Sequence, residues 1–228
     1  MDRTNSRRSP STPRRNTAKA RGTYAVGDER RRRILDAAVE HFAQWGFHAS
    51  SLARIAKDVG VTQGGLLHHF RSKEDLLVRV LERSEEQDVE EFFAAEFTST
   101  ADAFRSLIAL ADYNSRRPGR TRMFNVLLGE SSEPGHPAHA FFSRRYERFI
   151  AQLAAVLGES VEAGELRPDA PCDATAREVF AVMDGIQLQW AIAPDDVDMA
   201  ERLRAYLDRL YASISAAGTP VPAAEKSG

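Results

Sequence analysis

The side chains best suited to chemistry lie between residues 50 and 73, in SSLARIAKDVGVTQGGLLHHFRSK. Hydroxyls (Ser50, Ser51, Thr62), imidazoles (His68, His69) and cations (Arg54, Lys73) are all donors to an anion. Gln63 carries an amide that can pair bidentately with the edge of an adenine. Gly64 and Gly65 beside it allow a bulky partner to come close to the backbone. This is the chemistry of recognition. Elsewhere, His136-x-x-His139 with Glu130 and Glu133 hints at a metal, but its Pro- and Gly-containing loop fits a cap for the following helix better, and no metal site is expected. No Ser/His/Asp triad, glycine-rich phosphate loop or CxxC pair is present, so neither an enzyme nor a cofactor is expected. Cys172 is the single cysteine and cannot form an internal disulfide, which fits a reducing cytoplasm.

Donors at this density need a rigid mount. Ile55, Ala56 and Val59 share one helical face, Gly60 follows, and a second apolar pattern runs through Leu66 and Phe70. That spacing is a helix-turn-helix. Gly60 accepts the positive φ of the turn, Ala56 is small where the second helix packs, and Thr62 is placed to cap that helix. The second helix then turns Gln63, Gly64, Leu67 and His68 outward, a geometry that fits the major groove of DNA.

The remaining elements are helical as well. Ile34, Leu35, Ala38, Phe42 and Trp45 predict a first helix over about 28–45, ended by Gly46, and Ser50 or Ser51 caps the next. Ser72, with Asp75 three residues on, opens a long fourth helix by a capping-box pattern. Its apolar face is interrupted by ERSEEQD, residues 82–88, which reads as a solvated joint between a head at 28–81 and a body at 82–217. Further helices are expected over about 101–117, 121–130, 139–164 and 173–193, with a last one from Met199 to Ile214. Residues 1–27 hold seven Lys or Arg among Ser, Thr, Pro and Asn and are expected to be a disordered basic arm. That arm reads either as a solubilising tail or as one that follows the DNA backbone or enters the minor groove. Residues 218–228 are expected to fray. No strand alternation and no internal repeat occurs, so the fold class is all-α.

Composition agrees. At 43% hydrophobic and 28% charged, the 228 residues are those of an ordinary globular protein. No apolar run nears the ~20 residues of a membrane span, and no apolar segment marks a secretory signal, so a cytoplasmic protein without a membrane partner is expected. The net charge of −2 hides an asymmetry. Residues 1–80 carry 16 Lys or Arg against 8 Asp or Glu, and residues 81–228 carry 15 against 25. A head at +8 on a body at −10 implies an anionic polymer at one end only.

The run Ile55–Val61, the GG-L of Gly64 to Leu66, the HHF of His68 to Phe70 and the SKEDLL of Ser72 to Leu77 together resemble the TetR family of bacterial transcriptional regulators. The resemblance is densest over residues 30–80. It implies an all-helical fold with an N-terminal DNA-binding head and a C-terminal domain that dimerises and often holds a small effector. It implies phosphate contacts from Ser50 or Ser51, Thr62, His69 and Lys73, base reading by Gln63, and further contacts from Arg54, His68 and the backbone at Gly64. Many relatives have tyrosine where this chain has Leu67, which cannot donate and is left to touch a thymine methyl or to pack. SSEPGHPAH and the RRYERF that follows resemble a subgroup common in actinobacteria and related to the choline-responsive BetI type, a likeness that does not license choline as ligand.

On that basis the chain is expected to be a homodimeric regulator of transcription. It would be a repressor released from a palindromic operator by an unidentified small molecule, although an activator would use the same head. Tyr113, Met123, Phe124, Phe142, Tyr146, Met183, Gln187 and Trp190 are the candidate pocket residues, suited to a mostly apolar ligand. The last two helices are the expected dimer surface, because residues 173–193 are apolar on more than one side. The alternatives are an architectural DNA-binding protein without a ligand, and a helical enzyme with a vestigial head, for which no acid/base pair is visible.

Overall fold

Capping chemistry sets where the helices begin and end. The computed structural model of the chain describes residues 17–94 and 96–222, and these form α1 (Thr17–Trp45), α2 (Leu52–Asp58), α3 (Gln63–His69), α4 (Lys73–Phe92), α5 (Thr100–Ser115), α6 (Pro118–Glu130), α7 (His139–Glu162), α8 (Cys172–Ile192) and α9 (Met199–Ile214). Gly46 and Gly60 end α1 and α2 at φ 65° and 73°, a conformation that only glycine adopts without strain. Thr62, Ser72, Ser99 and Asp198 each accept a hydrogen bond from the backbone N–H three residues on, closing the first turns of α3, α4, α5 and α9. Asp75 completes a reciprocal cap at α4, although it reaches the N–H of Arg71 rather than that of Ser72.

Several boundaries differ from the sequence expectation. Pro118 and Gly119 do not form a gap; Pro118 is the first residue of α6, where a missing N–H costs nothing. α1 starts at Thr17, so the eleven residues before position 28 are helical, while the rest of the expected disordered arm lies outside the described residues. The C-terminal segment is tied down as far as it is described. The N–H of Thr219 donates to Ser215 Oγ, and Arg105 donates to the carbonyl of Pro222 at 2.7 Å; residues 223–228 lie outside the described residues. Among those described, the sole extended pairing is an isolated bridge between Leu166 and Ser215.

Two apolar clusters hold the chain. The first contains Ile34, Ala38, Phe42, Ile55, Leu66, Phe70 and Leu77 of the head, and it continues into Met123, Leu127, Ala138, Phe141 and Phe142. The head core therefore does not stop at residue 81. It is sealed by α6 and the start of α7, and Glu130 at the end of α6 accepts from the N–H of Phe47 at 2.8 Å. The second cluster gathers Phe104, Leu107, Leu157, Val179, Leu203 and Leu207 from α5, α7, α8 and α9.

Residues 82–88 are not a solvated joint. Asp88 is 4% and Ser84 8% exposed, and Arg120 of α6 reaches both, donating to Asp88 Oδ1 at 2.5 Å and to the Ser84 carbonyl at 2.9 Å. One turn earlier, Glu85 takes Arg145 and Arg148 of α7 at 3.0 and 2.7 Å. One face of the polar run is covered because its partners are cations on other helices, which a reading confined to α4 misses, while Glu86 and Gln87 stay exposed.

Removing one partner of such a pair strands a buried charge, at a cost of about 3–5 kcal/mol. Asp88→Ala is expected to lower the free energy of urea unfolding by that order, and Asp88→Ala with Arg120→Met to recover part of the loss. A double variant as unstable as the sum of the single changes would remove the pair from this account.

Candidate DNA-contacting head and regulatory cavity

Helix α3 is short and leans on the head core through Leu66, leaving Gln63, Gly64, Leu67 and His68 exposed on its outer side. Thr62 is exposed at its start. Its hydroxyl oxygen accepts from the N–H of Gly65 at 3.0 Å, so its proton remains available to a phosphate. Arg54 of α2 is exposed with its guanidinium 5.9 Å from the Trp45 ring, and Ser51 precedes α2 with a hydroxyl that makes no cap bond. These groups share one outward-facing turn and form a band of donors. Leu67, at 39% exposure, is the apolar residue within it.

Two expected phosphate ligands are already engaged. Ser50 is 5% exposed and donates inward to the carbonyls of Gly46 and His41, closing the turn after α1. Lys73 sits at the start of α4, but its ammonium donates to the carbonyls of Phe47, His48 and Ser50 at 2.8, 3.1 and 3.1 Å and lies 4.3 Å from the Phe47 ring centre. All three of its N–H groups are used. Lys73 fastens α4 to the turn that carries α2, and it supports the donor band from behind.

His69 is partly buried, and this burial holds its pKa below the ordinary histidine value, helped by His68, Arg30 and Arg31. The side chain is neutral near pH 7, and a neighbouring phosphate would favour its protonation. The sequence reading did not assign Arg30 and Arg31. They stand on α1 beside His69, with Arg31 4.7 Å from the Phe70 ring centre. The run RRRR at 30–33 was the available signal, but Arg33 is turned elsewhere, onto the carbonyl of Val59 at 2.8 Å.

The body contains a cavity of about 60 Å³. Of the residues expected to line a pocket, it brings together Phe124, Tyr146, Met183 and Gln187. Met123, Phe142 and Trp190 are buried in the apolar clusters, because helical spacing cannot separate a core face from a cavity wall. Tyr113 stacks under Arg117 and against Phe92, on a cleft between α1, α4 and α6. The sequence reading missed Phe93, Arg145, Phe149, Phe180 and Asp184. Asp184 accepts from the Tyr146 hydroxyl, and burial raises the pKa of both groups above their ordinary values. Arg145 lies 5.0 and 4.7 Å from the ring centres of Phe124 and Phe149 while holding Glu85 of α4. Gln187 Nε2 donates to Asn125 Oδ1 at 2.9 Å, and Asn125 Nδ2 donates to the backbone carbonyl of Gln187 at 3.2 Å.

The remaining candidates are structural. His136 is buried, with Nδ1 accepting from the N–H of Ala138 and its Nε2 facing Glu130 at 3.4 Å; His139 donates through Nδ1 to the Ser131 carbonyl. No group of three or more His, Cys, Asp or Glu among the described residues is placed to hold a metal ion. No helix among them is long and apolar enough to cross a membrane.

Comparison with known proteins agrees with this geometry. Residues 34–80 match the model of bacterial regulatory proteins of the tetR family, and residues 130–214 match that of the BetI-type transcriptional repressor C-terminal domain. The chain is 26% identical over 194 residues to the transcriptional regulator TtgR of Pseudomonas putida, covering 82% of this chain and 92% of that protein. It is 28% identical to the regulator AcrR of Shigella flexneri over 202 residues, covering 82% and 90%. Among solved structures, a SmeT–triclosan complex aligns with a TM-score of 0.75 at 20% identity, over 87% of this chain and 100% of that one. FadR of Bacillus subtilis in complex with stearoyl-CoA aligns at 0.69 and 20% identity, over 78% and 96%.

Gln63→Ala is expected to lower affinity for a specific DNA site by about 1–3 kcal/mol and to relax preference at one base position, with stability unchanged. Lys73→Met is expected to lower the melting temperature, because three carbonyls lose their donor. Thermal melts beside DNA titrations separate the two; a Lys73→Met protein with unaltered melting would contradict the supporting role.

Proposed function

The chain belongs to the TetR family of DNA-binding transcriptional regulators, and we propose that it is a cytoplasmic, homodimeric repressor that leaves a palindromic operator when a small molecule occupies the body. Regulators of this family bind DNA, form dimers and bind small molecules, and they are not enzymes. The donors at the operator are Ser51, Arg54, Thr62, His68 and His69, with Gln63 and Leu67 facing bases and Gly64 letting the backbone approach. Ser50 and Lys73 support them. Arg30 and Arg31 add charge at the end of α3.

The dimer surface is assigned to α8 and α9. Leu188 is 52% and Ile192 77% exposed, and both stand on the free side of α8. Burying such side chains against a symmetry mate is favourable by about 25 cal/mol per Å² of apolar surface. A two-fold pair of heads reads two half-sites roughly 34 Å apart, one turn of DNA.

The observation that carries the ligand response is the position of Arg145. One guanidinium contacts two rings of the cavity and the Glu85 carboxylate of α4, whose first residue, Lys73, grips the turn before α2. A ligand that moves Arg145 changes what holds α4. Because α4 begins in the head, a shift in its tilt changes the spacing of the two α3 helices. Coupling of this kind is typically about 1–3 kcal/mol, a 5- to 150-fold change in affinity.

Selection of random duplex DNA by the purified full-length protein at near-physiological salt tests the reading. Enrichment of a palindrome is expected. Binding without enrichment would replace it by the architectural reading, in which basic charge alone holds the duplex.

A further inference from the structure

We propose that the cavity takes a protonated amine carrying an apolar or aromatic body, and that the carboxylate of Asp184 reads its charge; this rests on the assignment of the cavity as the effector site. Arg145 is paired with Glu85 at 3.0 Å and lies over two aromatic rings. Asp184, on α8, faces the same space, and its hydrogen-bond partner is the hydroxyl of Tyr146. Among the described residues no Lys, Arg or His nitrogen lies within ion-pair distance of it. An anionic ligand would have to take Arg145 from Glu85 and then meet the carboxylate. A cation finds a carboxylate committed to one hydroxyl, framed by the rings of Phe124, Phe149 and Phe180. Aromatic faces attract cations, and an ammonium N–H donates a charge-assisted hydrogen bond that a quaternary nitrogen cannot.

The titration of Asp184 follows from the same geometry. Burial disfavours its ionised form and raises its pKa, against the smaller opposing effects of Tyr146 and Arg145. Glu85, Arg145 and Arg148 are charged groups at the α4 end of the cavity, and on its other side Asp184 borders an open groove between α7 and α8 that also holds His139, Glu147, Asp173 and Arg177. A bound ammonium supplies the charge that burial withholds and lets the carboxyl ionise. Amine affinity therefore rises with pH through the raised Asp184 pKa, while the amine itself stays protonated to about pH 10.

The cavity, at about 60 Å³, houses the head group and little more. Phe93, Phe149 and Phe180 line both this cavity and an outer trough bordered by Leu107, Leu153 and Val156. The apolar body extends between those three rings into the trough.

Calorimetric titration of the full-length protein with phenylbutylamine, phenylbutanol, phenylbutyrate and choline tests the assignment, since the first three share a body and differ in charge. Phenylbutylamine is expected to bind about tenfold or more tighter than the alcohol, the scale of one hydrogen bond to a charged group, and tighter than choline. Its affinity should rise with pH as Asp184 ionises, and level off above that titration. Asp184→Asn, checked for folding by its melt, should erase both the preference and the pH dependence. Equal binding of the alcohol, or tightest binding of phenylbutyrate, overturns the charge assignment and leaves the cavity as an effector site. That comparison needs only the wild-type protein, so it stands even if the variant does not fold. Failure of all four compounds to bind overturns the proposal and removes support from the effector site itself.

Discussion

Two carboxylates on one helix hold the molecule's two ends together. Glu85, partly exposed, and Asp88, buried, lie on the second half of α4, and each is met by arginine from the body. A buried carboxylate without a partner costs several kcal/mol, so these pairs fix the angle at which α4 leaves the body. The head cannot set that angle alone. Its core is completed by Met123, Leu127 and Phe142, and α6 lies along α1 with Glu130 bonded to the turn after it. A change of geometry in α6 or α7 therefore reaches the head through apolar packing and through ion pairs on the same helix. Packed interfaces of this type switch between discrete arrangements and resist continuous deformation.

The two halves of the site are built on different principles. On the DNA side, exposed donors are held by groups tied to backbone carbonyls: Ser50 closes the turn, Lys73 gathers three carbonyls, and Arg33 satisfies the end of α2. Rigidity is what a groove-reading surface requires, since a donor displaced from its base edge loses its selectivity. On the ligand side, aromatic rings and the half-buried carboxyl of Asp184 line a small space that opens toward an apolar trough. That wall can repack, because its rings touch each other as well as the cavity.

Much of this is legible in the sequence. Gly60 and Thr62 announce the turn and the start of α3, because a positive φ and a cap hydroxyl each need a particular residue. The order of helices follows from apolar spacing. What the sequence conceals is pairing at a distance. ERSEEQD looks solvated until Arg120, Arg145 and Arg148 are brought to it from other helices. Ser50 and Ser51 are alike in the chain, yet one points inward and the other does not. Asp184 is one of three acids on α8, set between Met183 and Gly185, and its importance rests on what faces it. Phe142 and Phe124 both sit at core spacing, and only the packing of α6 and α7 decides which one meets a cavity.

The central claim is that the state of the body is carried to the heads through the ion pairs of α4. The most direct test is the distance between the two heads of the dimer, read by pulsed spin-label spectroscopy with labels at Lys57→Cys in a Cys172→Ser background, and repeated after Glu85→Gln. Lys57 is exposed at the end of α2 and reports head position. The account predicts a shifted or broadened distance distribution in the Glu85→Gln protein at unchanged helicity. Superimposable distributions would contradict it, placing the control of head spacing elsewhere than in α4.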